Sequence, residues 1–149
     1  MIKRMKVILG IFALSLVVLT VNAQAYELAS PDQWRVLNPG EQFERLTKEF
    51  SAYANYYAAR RGYRFGSGAQ HMIDRRFAEQ AAREVMKKEP QYFEPAKKKI
   101  RENFRKLIDQ MIIESKTIDK YANRQPGVIG EQTLSMAMFK LCPLWPICE

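Results

Sequence analysis

The sequence predicts an all-α protein, a small bundle of about four main helices. Three observations predict it: helix-start signals recur along the chain, a long amphipathic segment covers residues 95–121, and no alternating apolar pattern is long enough for a strand. With 149 residues and no internal repeat, the chain fits one compact domain. We therefore expect a single helical domain behind an N-terminal export segment.

The first 25 residues have the pattern of a secretory signal peptide. Three of the first six residues are basic, residues 7–21 are almost entirely apolar, and Ala23 and Ala25 form a small-residue cleavage site. The apolar run is shorter than the roughly 20 residues that a membrane-spanning helix needs. We expect cleavage before Tyr26, which leaves residues 26–149 in the periplasm or outside the cell. An uncleaved membrane anchor is the alternative.

Charge and export together narrow the class of partner. The whole chain has a formal net charge of +8 at pH 7, and residues 1–25 carry three basic and no acidic residues, so cleavage leaves +5. A moderately basic exported protein favours a protein partner in the envelope, or another acidic surface, over nucleic acid. Contact with a membrane is expected only if the N-terminal segment stays attached. The sequence leaves the oligomeric state open.

Helix-start signals place the shorter helices. Capping boxes at Ser30, Asn38 and Ser67 predict three of them, and the first two boxes are followed by proline at the first helical position. The predicted helices are a short one through Trp34 and Leu37, a longer one to about Arg61 that Gly62 ends, and a third from Ser67 to about Lys88.

Residues 95–121 predict one long amphipathic helix. At 100° per residue its apolar residues gather on one side and its charged residues on the other, which is typical of a helix that faces a core. Ile112 and Ile113 lie outside the apolar side, so either a second neighbouring helix or a partner must cover them. The lysines at 97–99 indicate a solvated first turn, and their unfavourable place at a helix N-terminus favours an anionic neighbour.

Residues 131–141 predict a last helix that is apolar on nearly all sides. We expect this helix either to be buried in the core or to bind a partner, together with the tail that follows it. Methionine adapts to irregular surfaces and tryptophan often anchors interfaces, so Met136, Phe139 and Trp145 are the candidate binding residues.

Two cysteines follow this helix. In an oxidising compartment Cys142 and Cys148 predict one local disulfide that closes a small C-terminal loop. A zinc site needs about four ligands, usually Cys and His, and this chain has two Cys and one His. The sequence therefore predicts neither a metal site nor another cofactor.

Catalytic candidates are few. His71 and Asp74 project onto the apolar side of their helix, where contact and burial would suit proton transfer. The structural alternative is a polar pair that ties the helix start to a neighbouring loop, and the lack of a visible nucleophile favours it. Glu114, at the edge of the apolar side where a raised pKa would be possible, and Glu131 are further candidates for a carboxylate-based hydrolase.

Tyrosine and arginine side chains interleave near the end of the second predicted helix, at Tyr53, Tyr56, Arg60, Arg61 and Arg64. Such groups bind anionic partners by charge and by stacking. The structural alternative buries Tyr53 and leaves the arginines at a helix C-terminus, where their charge is favourable. Tyr56 lies off the apolar side and is the residue least explained without a partner.

Together these features favour an exported, non-enzymatic binding protein of the cell envelope: an adaptor, an inhibitor, or an immunity-type protein that masks a secreted toxin. Two alternatives remain open. One is an envelope hydrolase that acts on a wall polymer through carboxylates, and the other is a membrane-anchored subunit of an envelope assembly.

Overall fold

A computed structural model describes residues 30–122 and 126–141, and within these ranges the chain is mainly helical, which confirms the all-α class. None of the described helices is both long and apolar enough to cross a membrane. The helices are α1 (Pro31–Arg35), α2 (Pro39–Arg60), α3 (Ser67–Met72), α4 (Glu79–Met86), α5 (Phe93–Ala122) and α6 (Glu131–Leu141). A π-helical segment, Ile73–Ala78, joins α3 to α4, and a 3-10 turn, Pro90–Tyr92, leads into α5.

Several predictions concern parts of the chain outside these residues. They are the signal segment with its cleavage before Tyr26, the disulfide between Cys142 and Cys148, and the role of Trp145.

Two of the three predicted capping boxes are confirmed. The Ser30 hydroxyl accepts a hydrogen bond from the Gln33 amide, and the Asn38 side chain accepts one from the Glu41 amide at 3.0 Å. The third box is wrong: Gly66 is the N-cap of α3, and no side chain caps this helix start. The Gly66 amide instead donates to the Ile129 carbonyl at 2.9 Å, so backbone pairing holds this end of α3.

That pairing is a two-residue parallel ladder between β1 (Arg64–Phe65) and β2 (Val128–Ile129). It was not predicted, because two residues cannot form an alternating pattern. Since β1 follows α2 and β2 follows α5, the C-terminal ends of α2 and α5 lie at the same end of the bundle. The α3–α4 helix and α6 return in the opposite direction, which gives an up-down-up-down bundle.

The π segment keeps the α3–α4 helix turned toward the core. Its buried apolar residues recur every four positions, at Ala69, Ile73, Phe77, Ala81 and Val85. In a regular α-helix that spacing would rotate the buried side by about 160° over sixteen residues. The wider π turn unwinds the helix and removes much of this rotation.

Helix α5 runs through the centre of the bundle. Its Phe104 ring stacks on Phe50 of α2, with centroids 5.8 Å apart and planes inclined by 10°. Because α5 packs against α2, α4 and α6, its buried side is wider than the predicted stripe. Ile112 is therefore buried, whereas Ile113 is 57% exposed. The second neighbour required for Ile112 is supplied by the bundle itself.

Substitutions at Gly62 and Gly127 test how the two turns pack at the end of the bundle where β1 and β2 pair. Both have positive φ, +79° and +81°, so an alanine at either position is strained by about 1–2 kcal/mol. A Cβ on Gly127 would also lie 3.0 Å from the Gly62 carbonyl oxygen, whereas a Cβ on Gly62 would meet nothing within 4 Å. We expect Gly127→Ala to lower the free energy of urea unfolding more than Gly62→Ala does. Equal losses would contradict the close approach of these two turns.

Candidate functional site

The ammonium group of Lys97 is buried at the centre of a charged cluster. Its side chain is 1% exposed, and Nζ lies 2.6 Å from Glu49 Oε2 and 2.8 Å from Glu94 Oε1. The prediction of a solvated lysine is therefore wrong for Lys97, while the predicted anionic neighbour is confirmed. The helical period carried the signal, because Lys97 precedes Phe104 by seven residues and so faces the same side of α5.

Trp34 of α1 closes this cluster and is fully buried. Its indole nitrogen donates to Glu94 Oε1 at 3.3 Å, and its ring meets Phe93 edge to face with centroids 5.3 Å apart. Two cations lie near the ring, Lys97 Nζ at 4.9 Å and Arg45 Cζ at 5.0 Å from its centroid. Cation–π attraction and burial together hold the five-residue helix α1 on the bundle.

Glu49 and Glu94 are a carboxylate pair that sequence analysis missed. They are far apart in sequence, and only the packing of α2 beside α5 brings them to one ammonium group. The ammonium of Lys97 occupies the space between them and Trp34 covers it, so these carboxylates have a structural role. A buried ion pair contributes little net stability, but removal of one partner leaves an uncompensated charge in the interior.

The predicted pair of His71 and Asp74 is not formed. His71 is exposed, and its position on the apolar side is wrong because the π segment turns the helix between His71 and the later core residues. Asp74 Oδ1 instead accepts hydrogen bonds from Ser51 Oγ at 2.5 Å and Gln70 Nε2 at 2.8 Å. Asp74 thus ties the π segment to α2, which is a structural role of the kind predicted for the pair.

Glu114 is buried and hydrogen-bonded, and its pKa is lowered where the sequence left room for a raised one. Its carboxylate accepts hydrogen bonds from Lys140 Nζ and, at 2.8 Å, from Gln110 Nε2. These two bonds hold the pKa of Glu114 below its ordinary value of 4.5, although burial opposes the shift. Glu131 is the first residue of α6 and lies beside Gly68. Lys140, which binds Glu114, comes nine residues later, so Glu131 and Glu114 lie near opposite ends of α6.

The structure brings part of the predicted tyrosine and arginine cluster together with arginines of α5. We call this surface the Tyr–Arg face: Tyr53, Tyr56 and Arg60 of α2 with Arg101 and Arg105 of α5. Arg60 lies 5.7 Å from the Tyr56 ring centroid, and Arg101 lies 5.7 Å from that of Tyr53. Burial raises the pKa of the Tyr53 hydroxyl, and the charges of Arg105 and Arg101 oppose that rise.

Positive charge is in excess on this face. Two neighbouring acids are already engaged. Glu49 contacts Lys97 and, at 3.9 Å, Arg101 of the face itself. Asp109 binds Arg61 at 2.8 Å. Asp109 also accepts hydrogen bonds from Tyr57 at 3.0 and 3.1 Å, so the Arg105–Asp109 spacing of four residues does not become an ion pair. Within the part of the chain that the structure describes, Arg60 and Arg105 are exposed and have no carboxylate partner.

The other predicted binding residues lie apart from this arrangement or only at its border. Arg61 fastens α2 to Asp109 of α5, while Arg64 is exposed on β1. On α6, Met136 is 45% and Phe139 87% exposed, whereas Leu134 and Ala137 of the same helix are buried. The last helix is thus neither wholly buried nor wholly exposed: one side belongs to the core, and Met136 and Phe139 face outward.

Comparison with known proteins finds no matching family model, curated protein or solved structure. Among the residues that the structure describes, no group of three or more His, Cys, Asp or Glu side chains is placed to hold a metal ion. Arg101 and Arg105 were not predicted as site residues, because the sequence of α5 does not say which helix lies beside them.

The buried contacts of Lys97 with Glu49 and Glu94 lead to a prediction about stability. Lys97→Met removes the buried cation from Glu94 and leaves Glu49 only its longer contacts with arginines of α2 and α5. We expect a loss of about 2–4 kcal/mol in the free energy of urea unfolding. Lys98→Met is the matched control, because Lys98 is exposed, and its change should stay within about 0.5 kcal/mol. Adding Glu49→Gln to Lys97→Met should recover part of the loss. A Lys97→Met protein as stable as the Lys98→Met protein contradicts this account.

The Lys140–Glu114 pair should make the stability of the fold depend on pH. A lowered pKa means that the pair stabilises the fold above pH 4.5 and loses this effect as pH falls through the lowered value. Lys140→Met should reduce the free energy of unfolding by up to about 1 kcal/mol at pH 7, since Lys140 is partly exposed. Urea unfolding from pH 7 to pH 3 should show this difference shrink, and Lys88→Met, at an exposed site, should show none. A difference that is constant with pH would contradict the assignment.

Proposed function

We propose that this chain is an exported, non-enzymatic binding protein of the cell envelope, of the adaptor, inhibitor or immunity type, and that the Tyr–Arg face binds an acidic surface on its partner. Export rests on the pattern of residues 1–25. The binding role rests on the arrangement of charge beside the tyrosines. The second predicted surface, Met136 and Phe139, has exposure in its favour but no charge or neighbouring group that selects a partner.

One observation carries the proposal: the exposed Arg60 lies over the Tyr56 ring, and neither it nor the exposed Arg105 has a carboxylate partner among the described residues. An arginine that lies on an aromatic ring loses less conformational entropy when it binds, and its planar group suits bidentate contact with a carboxylate or phosphate. Tyrosine and arginine are also the residue types that dominate binding energy in protein interfaces. These features support recognition of an acidic partner.

The hydrolase alternative has no comparable support. Asp74 and Glu114 are each engaged in hydrogen bonds within the bundle, and the Glu49–Glu94 pair is filled by Lys97. Glycoside hydrolysis needs two carboxylates that flank a substrate, with one kept protonated by a raised pKa. The lowered pKa of Glu114 is opposite to that requirement.

Charge reversal on the Tyr–Arg face tests the proposal. A photo-reactive phenylalanine analogue at Tyr56 should form an adduct with the partner in envelope extract at low salt. We expect Arg60→Glu with Arg105→Glu to reduce adduct formation at least about tenfold, because like charges then face each other across the interface. Higher salt should reduce it as well.

The control is a second charge-reversed pair, Arg76→Glu with Lys88→Glu, which changes the net charge equally at exposed positions away from the face. This pair should leave the adduct unchanged. Circular dichroism checks that both variants keep the helical fold. Equal adduct formation in the two variants would overturn the proposed binding face.

A further inference from the structure

We infer that the partner presents an acidic amphipathic helix to this protein, and that this helix lies along the seam between α2 and α5. This inference rests on the proposed function and specifies the secondary structure of the partner's binding segment. Its carboxylates would meet Arg60 and Arg105, and its apolar side chains would cover Tyr56 and Ile113.

Contacts between α2 and α5 form a seam that follows both helices. Helices α2 and α5 run in the same direction, and their side chains meet in order along it: Glu49 with Lys97 and Arg101, Tyr53 with Arg101, and Tyr57 and Arg61 with Asp109. Two adjacent helices, with axes about 8–10 Å apart, leave a shallow groove in which a further helix can pack.

Exposed apolar groups lie on both sides of this groove. Tyr56, on α2, is 42% exposed, and Ile113, on α5, is 57% exposed. Ile113 is one helical turn beyond Asp109, which binds Arg61, so it lies beside the end of α2. The arginines and the apolar groups thus occupy one surface, with charge and apolar contact interleaved.

This mixture favours a protein helix over an anionic polymer. A chain of phosphates or carboxylates satisfies arginines but leaves an isoleucine in water, whereas an amphipathic helix provides both kinds of contact at i, i+3, i+4 and i+7 spacing. The exposed Ile113 is therefore the residue that distinguishes the two kinds of partner.

A pair of synthetic peptides tests the inference with the full mature chain. One is an acidic peptide of about 18 residues with leucines at helical spacing and glutamates beside them. The other has the same composition in scrambled order. By isothermal titration calorimetry we expect the helical peptide to bind at least about tenfold more tightly than the scrambled one. Ile113→Ser should weaken binding of the helical peptide about fivefold, since half of an isoleucine side chain leaves contact.

Phe139→Ser is the matched control, because it removes an apolar side chain that is 87% exposed on α6, away from the seam. It should not change peptide binding. Equal affinity for the two peptides, or an Ile113→Ser protein that binds as the wild type does, overturns the inference and leaves a purely electrostatic face. Phosphatidylglycerol vesicles or poly-L-glutamate that bind when the helical peptide does not would overturn it as well.

The two proposals fail in different ways. If the Arg60 and Arg105 reversals abolish the partner adduct but the helical peptide has no advantage, the binding face stands and only the helical partner is wrong. If the reversals leave the adduct intact, the proposed function fails whatever the peptides do.

Discussion

The contact of the Lys97 ammonium with Glu49 and Glu94 brings three parts of the chain to one point. Glu49 belongs to α2, Lys97 and Glu94 to the first turns of α5, and Trp34 of α1 covers them. An ammonium group buried in a protein interior is tolerated only beside opposite charge. The register of α2 against α5 is therefore constrained by this contact, because a shift of one residue along either helix would separate the charges.

The Tyr–Arg face follows from that register. Arg101 lies between the two regions, 3.9 Å from Glu49 on one side and 5.7 Å from the Tyr53 ring centroid on the other. One turn further, Tyr57 and Arg61 bind Asp109 and take up the nearest acid. The excess of positive charge on the surface is thus a consequence of how the interior pairs its carboxylates. A surface of this composition arises from packing rather than from any local run of basic residues.

Both ends of the bundle are fixed by short elements. At one end α1 is held by the buried Trp34 side chain and by a hydrogen bond from Gln42 of α2 to the Trp34 carbonyl. At the other end the two-residue ladder of β1 and β2 joins the loops that follow α2 and α5. Neither element could stand alone, since a five-residue helix and a two-residue ladder have too few hydrogen bonds to offset their conformational entropy. The long helices supply the buried area, and the short elements determine how the chain enters and leaves them.

The sequence by itself determined the helices, because capping, period and turn residues are local properties. The starts of α1 and α2, the end of α2 at Gly62 and the whole of α6 agree with the structure. Local signals failed to predict burial where it depends on residues distant in sequence. Lys97 is buried because Glu49 of α2 lies across from it, and Ile112 is buried because the interface of α5 is wider than one apolar stripe.

For the candidate site, the sequence found Tyr53, Tyr56 and Arg60 but not Arg101 and Arg105. The order of residues along α5 does not say which helix lies beside it, so only the tertiary structure could unite these groups. The same reason explains the misplacement of His71: helical projection assumes an unbroken period, and the π segment changes it where α3 meets α4. Burial, ion pairing and the shape of a binding face depend on neighbours that are remote in sequence, which local patterns cannot encode.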